Sequence, residues 1–344
     1  MKLGNTKAKM EEIVNKKYCN SYGIYVYSKG DRGFVASENV DENTYFDVAS
    51  TGKVMVTAPL ILMAISENKL SLDNTLEEFF ENVPEDKKGI TVKHLLTHTS
   101  GIIRYYISRE SYDEGGQAVV DSILSHPLLF PIGSDYTYSC NGFILLGYIL
   151  EKIYGMRLDR IFEEKLKKPL GMTRACFAMP SSEQNRVISH GRESDGEYTV
   201  DDENVYSMRG IAGSGAQFYS MADATRLMDA IMQKSPLLYK RELFDLAEKD
   251  YTPNFSEGRG LGYWISDDRF FKDDPLFSSG ISCHIGSTGT GIFFEREKDL
   301  YVIVFTNLRR GIQYGMGLDY TEYMNKFADL RREIFAEIKK DIEE

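Results

Sequence analysis

The chain has 344 residues, 42% of them hydrophobic, which is enough to bury a large core in one or two domains. A formal charge of −11, with no cluster of Lys and Arg interleaved with aromatics, excludes nucleic acid as a main ligand. Four scattered cysteines, Cys19, Cys140, Cys176 and Cys283, read as free thiols, and five histidines without metal-type spacing predict neither a metal site nor a cofactor.

In chain order, residues 7–18 predict an amphipathic helix carrying Met10, Ile13 and Val14. The opening segment before it has no apolar h-region and no later apolar run reads as a bilayer span. The sequence as it stands therefore predicts a cytoplasmic protein, with an envelope or extracellular location if a leader has been removed. Residues 23–27 and 33–37 read as a β-hairpin about the turn 29–33. A helix opening at Ser50 should run to about Asn68, with a kink where Pro59 removes the hydrogen bond to the Met55 carbonyl. Residues 73–80 read as helical, and 91–101 end in a polar loop closed by Gly101. His94 and His98 lack a third ligand, so their expected role is structural, with His98, Thr99 and Ser100 tying the loop. Helices are predicted at 119–124, 143–154 and 222–232, strands at 262–265, 291–294 and 300–306, and a long helix at 320–342 with Met324, Phe327, Leu330, Ile334 and Ile338 on one face. This order predicts an α/β (α+β) fold: an antiparallel sheet formed from both chain ends and flanked by the terminal helices. Residues 1–80 and 240–344 would form that sheet domain and 81–239 an inserted, mainly helical domain, with the active site in the cleft between them.

The chemistry concentrates in Asp47-Val48-Ala49-Ser50-Thr51-Gly52-Lys53. Ser50 and Lys53, three apart on a helix, share one face, so the amine can touch the hydroxyl. A serine needs an adjacent base to attack an acyl carbon, and a lysine among apolar groups such as Val54 to Ile65 is in a setting that favours that role. Ser66 and Lys69 repeat the spacing, but at the polar end of the helix, where capping and solvation are the expected roles.

Further along, the chain resembles the serine β-lactamase and penicillin-binding-protein family, in its class C-like branch of esterases and D-amino-acid-specific peptidases. The residues that carry the resemblance are Ser50-Thr51-Gly52-Lys53, the loop from Leu95 to Gly101, Tyr138-Ser139-Cys140, the loop Gly210 to Gly215, and His284-Ile285-Gly286 followed by Ser287. They span about residues 10–335 in the family's order. The resemblance implies that Ser50 is the nucleophile, that Lys53 and Tyr138 share acid and base work, and that the amides of Ser50 and Ser287 hold the oxyanion. It also implies that His284 polarises Tyr138 or the substrate, and that Cys140, Asn141, Gly286 and Ser287 bind the substrate. Gly286 would leave the strand edge open.

Two departures bear on substrate choice. Cys140 stands where the family's tyrosine motif usually has asparagine, and a thiol is only a weak donor and acceptor. His284 stands where β-lactamases carry a lysine, and a neutral imidazole offers no dependable positive charge. The expected activity is therefore hydrolysis of small esters or D-residue peptides and amides, with weak or absent β-lactamase activity. The alternatives are a weak β-lactamase or a non-turnover penicillin-binding, sensor or scaffold protein. The partner is a small molecule or short peptide. Tyr105, Tyr106 and Trp264 are candidates to line an acyl pocket, with ordinary packing the competing role.

Overall fold

Apolar residues on alternate positions of a strand meet different layers, and that rule organises the molecule. A computed structural model describes residues 1–103, 116–179, 181–188, 190, 193–194, 197–198, 200–265, 274–278 and 281–344. Six strands pair antiparallel in the spatial order Asp31–Ala36, Tyr22–Ser28, Leu300–Thr306, Thr290–Glu295, Ser282–Gly286, Trp264–Ile265. The first two come from the start of the chain and the others from its end, as the element order predicts. Ile24, Val26, Val302, Val304 and Phe293 share a core with Met10 and Ile13 of the helix Gly4–Asn15 and with Phe327, Ile334 and Ile338 of the helix Tyr320–Glu343. Their alternates Tyr25, Ile292, Phe294, Tyr301, Ile303 and Phe305 share the other core, with Val54, Leu60, Phe143 and Leu227.

The same period of two places Cys283 and Ile285 in the terminal-helix layer and turns His284, between them, to the opposite face. The apolar pattern predicts no strand there, because a cysteine and a histidine interrupt it, and only the resemblance implies a strand edge at Gly286. Ser287–Gly289 is the turn joining Ser282–Gly286 to Thr290–Glu295. The first hairpin is also tighter than predicted. Lys29 and Gly30 both take positive φ, 49° and 95°, so two residues make the turn and Asp31 and Arg32 join the strand.

The Ser50 segment is not one regular helix. Ala49–Thr51 is a 3-10 turn, Lys53–Thr57 winds as a π-helix, and Ala58–Ser66 is α-helical. The expected kink is thus taken up by the π-turn, and Pro59 falls in the first turn of the α-helix, where a missing N–H costs little. The Met55 carbonyl, which loses its i+4 donor to the proline, accepts the buried Tyr219 hydroxyl at 3.2 Å. Contrary to the sequence-based expectation, the stretch Ala49–Ser66 is long and apolar enough to cross a bilayer, yet 83% of it is buried inside the protein as a core helix. Helices Gln117–Leu124, Cys140–Tyr154 and Met221–Met232 lie where periodicity predicts them, whereas residues 73–80 form only the 3-10 turn Leu76–Glu78.

Candidate active site

Ser50 is presented by a corner that few residues adopt willingly. Ala49 has φ 46°, in the left-handed region, and costs strain that its surroundings must hold. Its N–H donates to Asp47 Oδ1 at 2.8 Å and its carbonyl accepts from Ala216 N–H at 2.8 Å. Gly215 makes that approach possible: a Cβ there would stand 2.1 Å from the Ala49 carbonyl oxygen. The loop Gly210 to Gly215 therefore backs the corner from which Ser50 projects half-buried. Asp47 Oδ2 accepts from Asp201 N–H at 2.7 Å, and burial pushes the Asp47 carboxyl up to about 7.

Lys53 is wholly buried and its Nζ donates to Ser50 Oγ at 3.0 Å, the contact that the three-residue spacing predicts. Nζ also donates to the Ser214 carbonyl, and it lies 3.5 Å from Cys140 Sγ, 5.1 Å from the Tyr138 ring centroid and 5.7 Å from that of Phe143. Cys140 thus faces the lysine, while Asn141, also proposed from the sequence as a substrate-binding residue, points its Nδ2 at the Ile103 carbonyl, 3.0 Å away. The serine–lysine pair at Ser66 and Lys69 makes separate contacts: Ser66 Oγ accepts from Lys240 N–H at 3.1 Å and Lys69 pairs with Glu67 at 2.8 Å.

Tyr138 is positioned by the loop ending at Gly101. Thr137 N–H donates to the His98 carbonyl at 3.0 Å, Gly133 N–H to that of Thr99 at 2.8 Å, and Ser139 N–H to His98 Nδ1 at 3.2 Å. His98 is therefore structural, as expected, and His94 turns away to accept Thr91 N–H at 3.1 Å, capping its own helix. The Tyr138 ring lies 4.6 Å from that of His98, 6.1 Å from that of His284 and 6.2 Å from that of Trp264, so the second and third sequence elements meet. His284 Nδ1 stands 2.9 Å from the Ile285 carbonyl oxygen, so that nitrogen carries the proton and Nε2 is a buried lone pair that has no hydrogen-bond partner among the described residues.

The strand end is stitched to the Ser50 corner. Thr288 Oγ1 donates to the Asp47 carbonyl at 2.8 Å and Thr290 Oγ1 to that of Val48 at 2.9 Å. Gly286 is required there, since a Cβ would stand 2.5 Å from the Val48 carbonyl oxygen. The backbones of Ser50 and Ser287 are in this way brought to one corner. Ser287 is half-buried, and its Oγ is 3.5 Å from Arg309 Nη1, itself paired with Asp201.

Burial, reinforced by nearby cations, holds three imidazoles neutral. His98 and His284 are pushed well below 6.5, and His190, near the site, to about 3. An unfolded histidine titrates near 6.5, so the unfolded chain binds these protons first and stability is lost as pH falls from 6.5 toward the folded value. A His190→Gln variant is expected to take up about one proton fewer on unfolding at pH 5, read from unfolding enthalpies in buffers of different ionisation heat.

Trp264, a sequence candidate, stacks on His284 at 5.2 Å; Tyr105 and Tyr106 lie outside the described residues. Arg259 and Glu257 were not foreseen. Arg259 is fully buried with its guanidinium 4.1 Å from the Trp264 centroid, and no periodicity or spacing in residues 252–260 signals it. Among the described residues no group of three or more His, Cys, Asp or Glu side chains is arranged to hold a metal.

A family model described as Beta-lactamase matches residues 13–321. A protein of Escherichia coli, provisionally named D-alanyl-D-alanine carboxypeptidase, is 26% identical over 305 residues, spanning 77% of this chain and 69% of that protein. The β-lactamase/D-alanine carboxypeptidase of Pseudomonas syringae has a similar structure, with TM-score 0.74 and 16% identity over 94% of this chain and 98% of that one. EstCE1, a hydrolase with promiscuous acyltransferase activity, gives TM-score 0.72 and 16% identity over 95% and 97%. At these identities the structural likeness speaks for the fold.

Proposed function

Because the chain belongs to the β-lactamase family, we propose that it is a serine hydrolase forming an acyl-enzyme at Ser50, with small esters or short peptides and amides, including D-residue ones, as substrates. The observation that carries this reading is the 3.0 Å contact between Lys53 Nζ and Ser50 Oγ, with the Tyr138 ring centroid 5.1 Å from the same amine. Ser50 Oγ attacks the acyl carbon and its proton passes to the Lys53–Tyr138 pair. The amides of Ser50 and Ser287 receive the oxyanion. The pair then protonates the leaving oxygen or nitrogen as its bond to carbon breaks, and water repeats the sequence to free the acid and regenerate Ser50. The Nε2 lone pair of His284 accepts a hydrogen bond from Tyr138 or from a substrate donor.

The neutral His284 cannot supply the positive charge that a β-lactam carboxylate would seek, and Cys140 cannot offer an amide's hydrogen bonds. Both point toward esters and peptides over β-lactams. The carboxypeptidase name of one relative supports the peptide side of this reading. The close approach of Cys140 Sγ to Lys53 favours one second reading, a non-turnover protein whose acylated Ser50 does not hydrolyse. Stopped-flow assays with p-nitrophenyl butyrate and a chromogenic cephalosporin separate them. Steady ester turnover with much slower cephalosporin cleavage is expected. A single stoichiometric burst on either compound, without turnover, would replace the hydrolase by the non-turnover protein.

A further inference from the structure

Behind the tyrosine lies a buried cation that the chemistry above leaves unused. The guanidinium carbon of Arg259 stands 4.1 Å from the Trp264 ring centroid, 4.9 Å from that of Tyr136 and 5.7 Å from that of Tyr138. Lys53 Nζ stands 5.1 Å from the same Tyr138 centroid. Glu257 fixes the arginine, its Oε2 accepting from Nη2 at 2.5 Å, from the Tyr136 hydroxyl at 2.8 Å and from the Trp264 indole N–H. Among the described residues Arg259 Nε and Nη1 are buried and have no hydrogen-bond partner, and the rings of Trp264, Tyr136 and Tyr138 lie within reach of this charge through space. A guanidinium does not shed its proton to escape burial.

We propose that Arg259 is a positioning residue of the site: its guanidinium joins the Lys53 ammonium beside the Tyr138 ring and poises the phenol to lose its proton. The inference rests on the hydrolase reading above. His284 is neutral and cannot perform this electrostatic task, whereas two cations near one phenol both favour the phenolate. Tyr138 then enters as the phenolate, takes the proton of Ser50 as Oγ bonds to the acyl carbon, and returns it to the leaving group when that group's bond to carbon breaks. Among the described residues the charged and titratable groups around the phenol are Lys53, Arg259, Glu257, His98, His284, Tyr136 and Cys140. Burial raises the Asp47 carboxyl, in the corner of Ser50, to about 7, so a pH–rate profile by itself does not isolate the phenol, which is therefore also read directly.

The chain's single tryptophan, Trp264, supplies that reading, because its ring is 6.2 Å from Tyr138 and a phenolate quenches indole emission. The titration is the fluorescence of each variant minus that of the same variant carrying Tyr138→Phe. In Arg259→Met the quenching midpoint and the acidic limb of kcat/KM should rise together by about one to two pH units, and Arg259→Lys should restore most of both. Glu257→Gln removes the opposing charge and should move both the other way. An unmoved midpoint in folded Arg259→Met overturns the proposal. If that variant does not fold, a midpoint in Glu257→Gln that fails to fall does so. The fluorescence titration needs no turnover, so a wild-type protein that hydrolyses nothing would overturn the hydrolase reading while the Arg259 result stands separately.

Discussion

Replacing Ser50 by Ala is expected to lower kcat for p-nitrophenyl butyrate by about ten-thousand-fold or more, leaving only what the oxyanion amides and binding supply. The fold should survive the change. Ser50 projects half-buried from a corner held by other groups, the Asp47 carboxyl on Ala49 N–H and the Ala216 amide on the Ala49 carbonyl. Lys53 keeps its contacts with the Ser214 carbonyl and Cys140 when the hydroxyl is gone. The stability change should therefore stay within about 1 kcal/mol by denaturant unfolding. Turnover that persists in a folded Ser50→Ala protein would place the nucleophile elsewhere and remove the proposed mechanism.

Lys53→Met carries the next largest effect, an expected loss in kcat of about a thousand-fold or more with KM changed little, since the amine handles a proton and does not hold the substrate. Its stability signature runs the other way. Lys53 is wholly buried among Val54, Val56, Phe143 and neighbouring apolar groups, and an ammonium in such a place has given up its water. A methionine of similar length keeps the packing and removes the desolvation penalty, so its melting temperature should equal or exceed that of the wild type. A variant both inactive and much less stable would mean that Lys53 chiefly holds the fold, and the Ser50–Lys53 contact would lose its functional reading.

The elements of the site differed in how readily their sequence reveals them. The Ser50–Lys53 contact follows from three-residue spacing on a helical turn, so it was readable even though the local winding is 3-10 and π rather than regular α. The role of the loop from Leu95 to Gly101 as a brace came from its place in the family pattern, and the His98–Ser139 hydrogen bond supplies its geometry. Ser282–Gly286 escaped prediction because all five of its residues are buried and two of them are Cys283 and His284, which leaves no apolar alternation to see. Asn141 and Cys140 show a finer limit. They are neighbours at the start of one helix, about 100° apart around its axis, and only the helix's placement decides that the thiol meets Lys53 while the amide meets the Ile103 carbonyl.

By itself, the sequence determined what depends on periodicity and short spacing: the terminal helices, the pairing of the chain's two ends in one antiparallel sheet, and the serine–lysine turn. The helices, the individual strands and the turn are local patterns that burial of an apolar face enforces wherever the rest of the chain lies, and the position of those strands at the two chain ends is what predicts their common sheet. Only the tertiary structure decided that Asp47, Gly215 and Gly286 close around the Ser50 corner and that Thr288 and Thr290 stitch it to the sheet. It alone brings Arg259, 209 residues from Ser50, behind Tyr138. The physical reason is that such contacts join residues far apart in the chain, and long-range packing and burial of charge leave no periodic mark on the residues they bring together.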